Sequence, residues 1–184
     1  MGEFFDITFF VKANVKNEKK IEKQFQDILS IRDWRNQLSQ HHFPLLVGKE
    51  VVFGVYHDTD FISYCLSISE ITFTKKNIDN KTSQILEIVD ACFNNIPEIF
   101  LATGVYELTY DFIESVKQIS DFNGNVLSKF PFLFFRNENE YGYTSSKKYG
   151  NLFFVLQTES DAQIIYTNPV GELMEDEGLS FDEV

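Results

Sequence analysis

Phe61-Ile-Ser-Tyr-Cys-Leu-Ser-Ile-Ser-Glu-Ile-Thr-Phe-Thr74 is the longest stretch of the chain that reads as a β-strand. Ile62, Tyr64, Leu66 and Ile68 alternate with Ser63, Cys65, Ser67 and Ser69. Successive side chains of a strand point to opposite faces, so this period of two predicts one large apolar face and one small face. After Glu70 the apolar phase flips to Ile71 and Phe73, which predicts a bulge or bend. A strand this long is expected at the centre of a sheet, its small face lying under a helix or lining a shallow groove.

Upstream, Glu50 to His57 reads as a second strand, and Asp58-Thr-Asp60 supplies turn chemistry that joins the two as a hairpin. Glu3 to Lys12 sets Phe5, Ile7 and Phe9 against Phe4, Asp6, Thr8 and Phe10. Rings on both sides predict a strand interior to the sheet. Between them, Asn14 or Asn17 is placed to cap a helix running to about Gln40. Its apolar stripe is Ile21, Phe25, Ile28, Ile31, Trp34 or Arg35, and Leu38. Lys12 to Arg35 holds seven bases and four acids, the one cationic region, read as a solvated helix face.

Downstream, Asp79 begins a helix through about Asn94 that buries Ile85, Leu86, Val89, Cys92 or Phe93, and Ile96. Pro97 stops it, and Glu98 to about Glu107 is the next strand. This βαββαβ order matches a ferredoxin-like split unit. A third helix is expected over Thr109 to Ser120, then strands over Val126 to Arg136, Asn151 to Thr158 and Asp161 to Thr167. Pro131 requires the first of these three to begin after it or to run along an edge. The expected class is therefore α+β: a mixed, largely antiparallel sheet carrying two or three helices, with a C-terminal strand extension. Residues 1–171 are expected to form one domain. Residues 172–184 hold six acids and no base, and are expected to form a flexible acidic tail.

Composition narrows the function classes. Twenty Phe, eight Tyr and one Trp in 184 residues point to a core packed with rings where Leu is usual. A net charge of −12 argues against nucleic acid or an anionic membrane as partner, since either requires a basic face. It suits a basic protein partner, whose approach complementary charge accelerates. Cys65 and Cys92 have no CxxC neighbour and read as buried thiols of a reducing compartment. Neither a charged-then-apolar leader nor an apolar run of about 18 residues occurs, so a cytoplasmic protein is expected.

For chemistry, His57, Asp58 and Asp60 place an imidazole and two carboxylates within four residues. On a loop these could bind a divalent cation, although the same Asp pattern serves a hairpin turn through backbone hydrogen bonds. Cys65 and His57 could pair as thiolate and imidazolium across the hairpin, against a plain reading of Cys65 as a structural thiol. Nucleophile elbows and glycine-rich phosphate loops are missing, and no cofactor is expected. Thr82 to Ser128 carries seven acids and a single base, Lys117. Glu107, Asp111 and Glu114 are spaced by four and three, so Asp111 and Glu114 would share one face of the third helix, as a general acid/base pair, a solvated surface or, with the other acids, a patch that docks a cation-rich partner.

These features favour a non-catalytic acidic inhibitor of the toxin-immunity or anti-defence type, contacting its partner through Glu107, Asp111 and Glu114. The alternative is a small-molecule-binding domain or metal-assisted enzyme built on the His57–Asp60 hairpin. A third is a structural subunit whose Phe-rich strands pair between copies.

Overall fold

The computed structural model of the chain describes residues 4–31, 35–38, 42–69, 71, 77–106, 132–135, 147–149 and 152–156. Among these residues eight strands form one sheet: β1 (Phe4–Lys12), β2 (Arg35–Leu38), β3 (Lys49–His57), β4 (Phe61–Ser69), β5 (Ile99–Tyr106), β6 (Phe132–Phe135), β7 (Lys147–Tyr149) and β8 (Leu152–Leu156). Their order is β2-β3-β4-β1-β5-β6-β8-β7, and every pairing is antiparallel. Two helices, α1 (Glu18–Leu29) and α2 (Ile78–Asn95), complete an α+β architecture.

β4 and β1 occupy the interior, as their alternation requires. β1 pairs β4 on one side and β5 on the other, and β4 also pairs β3. The large face of β4 (Ile62, Tyr64, Leu66, Ile68) joins Phe5, Ile7 and Phe9 of β1 in one buried cluster with Ile21, Phe25 and Leu29 of α1 and Ile85, Val89 and Cys92 of α2. Both helices therefore cover this face. Phe25 is the pivot: its ring lies 5.1 Å from Phe9, 5.8 Å from Phe53 and 4.7 Å from Tyr64, stacked on the last.

The first helix is shorter than its apolar spacing predicts. It ends at Leu29, not near Gln40, because Ser30 turns left-handed at φ 54. Ser30 N–H donates to the Asp27 carbonyl at 3.4 Å and Ile31 N–H to the Gln26 carbonyl at 2.9 Å. These two bonds close the last turn in the manner of a Schellman cap. Arg35 and Leu38, expected on the helix, instead lie in β2 opposite Val52 and Lys49. The three-four spacing ran on into a segment whose backbone is satisfied by a strand neighbour.

α2 and β5 fall close to expectation. α2 ends before Pro97, with Ile96 N–H on the Cys92 carbonyl at 2.8 Å. β6, described over Phe132–Phe135, is flanked on both sides, by β5 and β8. Residues 126–131, where that strand was expected to begin, lie outside the described residues. Phe73, the third helix and the strand expected over Asp161 to Thr167 lie outside the described residues.

Gly104 sits where β5 crosses two rings: a Cβ there would be 2.9 Å from Phe5 Cζ and 3.1 Å from Phe132 Cβ. Gly104→Ala is expected to lose about 1–3 kcal/mol through overpacking. Phe25→Ala, which empties the ring cluster, is expected to lose about 3–5 kcal/mol. Urea denaturation of the two variants checks both values, and a loss under about 1 kcal/mol for Phe25→Ala contradicts the pivot role.

Candidate functional site

Three groups of polar side chains are set in place by this sheet. The first is the β3–β4 hairpin. Asp58 N–H donates to the Phe61 carbonyl at 3.0 Å, and the Asp60 carbonyl accepts from Ala13 N–H at 2.8 Å. The Asp-rich loop is thus a closed turn anchored to the end of β1. The exposed imidazole of His57 turns toward α1, where its Nε2 lies 2.5 Å from Glu18 Oε1. Glu18 stands in the first turn of α1, where the helix dipole favours a carboxylate.

His57, Asp58 and Asp60 are neighbours along the turn. Among the described residues, no group of three or more His, Cys, Asp or Glu is placed to hold a metal ion. The His57–Cys65 pair does not form. Cys65 lies opposite Gly54 while His57 lies opposite Ile62, and residues three apart on one strand project to opposite faces.

The second group lines the sheet face away from the helices. Phe10, Phe61, Cys65, Leu101, Leu133 and Phe135 are buried yet stand apart from the helix-side cluster. Among them runs a polar row. Thr8 is registered with Cys65 on one side and Thr103 on the other, and Asp6 with Ser67. Thr8 Oγ1 donates to Cys65 Sγ at 3.5 Å, and Cys65 Sγ is 3.7 Å from Ser67 Oγ. Asp6 and Thr103 are almost wholly buried.

At the margin of this row Tyr56 is exposed, its ring folded over Gly54, where a Cβ would meet Tyr56 Cε2 and the hydroxyl oxygen at 2.9 Å. Partial burial raises the Tyr56 phenol above its usual value, with the Cys65 thiol and the Asp6 carboxyl adding to the effect. The row offers hydrogen-bond donors and acceptors and one carboxylate, and His57 lies on the other face. Sequence reasoning named the small face of β4 and set Asp6 opposite Phe5 and Ile7, but gave Asp6 no role and passed over Tyr56. The signal for Asp6 was present: it alternates with Phe5 and Ile7, which assigns it to the same face as Cys65 and Ser67.

The third group is acidic. Ser83, Glu87, Asp90 and Asn94 step by four, three and four along the outer side of α2, and Glu98 follows beyond its end. Glu87 and Glu98 are exposed and Asp90 is half-buried. Of the seven acids between Thr82 and Ser128, these three are described; Glu107, Asp111 and Glu114 lie outside the described residues, as does the acidic segment 172–184.

Comparison of the chain with protein-family models, with curated proteins and with solved structures finds no match. Among the described residues no helix is long and apolar enough to cross a membrane.

Tyr64 gives this region a measurable pH response. Its side chain is fully buried, and its hydroxyl has no hydrogen-bond partner. Burial first, then the nearby Glu18, Glu22 and Glu98 carboxylates, pushes the phenol far above 10. The folded state therefore keeps this proton where the unfolded chain releases it, so stability is lost as pH rises beyond about 10. Tyr64→Phe is expected to be neutral or stabilising at pH 7, because no hydrogen bond is broken, and to flatten the alkaline loss. Denaturation midpoints from pH 7 to 11 check this; an unchanged alkaline slope contradicts it.

Proposed function

We propose that the chain is a non-catalytic acidic module that docks on a basic surface of another protein, in the manner of a small cytoplasmic inhibitor of the toxin-immunity or anti-defence type. The observation that carries the proposal is the acidic outer side of α2. Glu87, Asp90 and Glu98 stand on or beside it, and no Lys or Arg occurs from Thr82 to Tyr106. We extend this stripe to Glu107, Asp111 and Glu114, which continue the base-free run up to Lys117.

An acidic stripe of this kind steers a cationic partner by long-range attraction and rejects anionic ones. Its affinity would come from a few apolar anchors within the same contact, as in most protein interfaces. We also read β1-α1-β3-β4-α2-β5 as a ferredoxin-like unit within a single domain over residues 1–171; its sheet order β3-β4-β1-β5 supports the reading. In that unit the helices share one side of the sheet, which leaves α2 an outward surface free of structural duties.

The test is capture by the immobilised full chain, with retained proteins identified by mass spectrometry. A basic protein is expected, and Asp111→Lys with Glu114→Lys is expected to cut its recovery more than about tenfold, roughly 1.4 kcal/mol of binding. Far-UV circular dichroism of the variant is expected to match the parent. Equal recovery by the doubly substituted chain removes the acidic surface as the contact.

A further inference from the structure

We draw no further inference here: the strongest candidate, the polar row of Asp6, Thr8, Cys65, Ser67 and Thr103 on the sheet face away from the helices, carries nothing because nothing among the described residues shows what covers it.

Discussion

A single ring on a single helix fixes the geometry on which the rest of the molecule depends. Phe25 of α1 packs on one ring from each of three adjacent strands, Phe53 of β3, Tyr64 of β4 and Phe9 of β1. Each aromatic pair adds roughly 0.5–1.5 kcal/mol beyond the area it buries. With Phe25 held, Ile21 and Leu29, one helical turn to either side, fall onto the same buried stripe. The lysines at 19, 20 and 23 have then only solvent to face, and Glu18 is brought over the hairpin to meet His57. Placement of charge on α1 follows from packing beneath it.

Much of this was legible in the sequence because it rests on periodicity and hard stops. The alternation over Ile62 to Ser69 set β4 in the interior, and Pro97 bounded α2 through its missing backbone N–H. The end of α1 was not legible. Ser30 lacks the conformational freedom of glycine, the usual resident of a left-handed cap, and the residues beyond it kept a helix-like spacing. Only the ladder with β3 shows Arg35–Leu38 to be strand. β7 was passed over for a related cause: a three-residue strand is too short to display a period.

The candidate site was less legible than the fold. Asp58 and Asp60 drew attention as carboxylates, yet their backbone groups close the turn, and the imidazole beside them is directed at a helix 39 residues earlier in the chain. Proximity in sequence is a poor guide to convergence on a strand, where neighbours diverge. Register is a better one. Asp6, Thr8, Cys65, Ser67 and Thr103 come from three strands and form one row only because β1 pairs both neighbours without a shift until Phe10. A polar row within a buried sheet face is costly to displace, because a slip of one residue would carry Asp6 into the aromatic cluster under α1. The same residues that look like a site therefore also fix the register of the central strands.

Charge distribution separates what folding demands from what it leaves open. Outer positions of α1 and α2 need only be polar for the sheet to keep its helices, so folding does not select lysine for one and carboxylate for the other. Yet α1 carries three lysines within its first six residues, while α2 and its exit carry Glu87, Asp90 and Glu98 without a base after Lys81. Two helices on one side of one sheet thus differ in balance: the three lysines of α1 are matched by Glu18, Glu22 and Asp27, while the outer side of α2 is acidic.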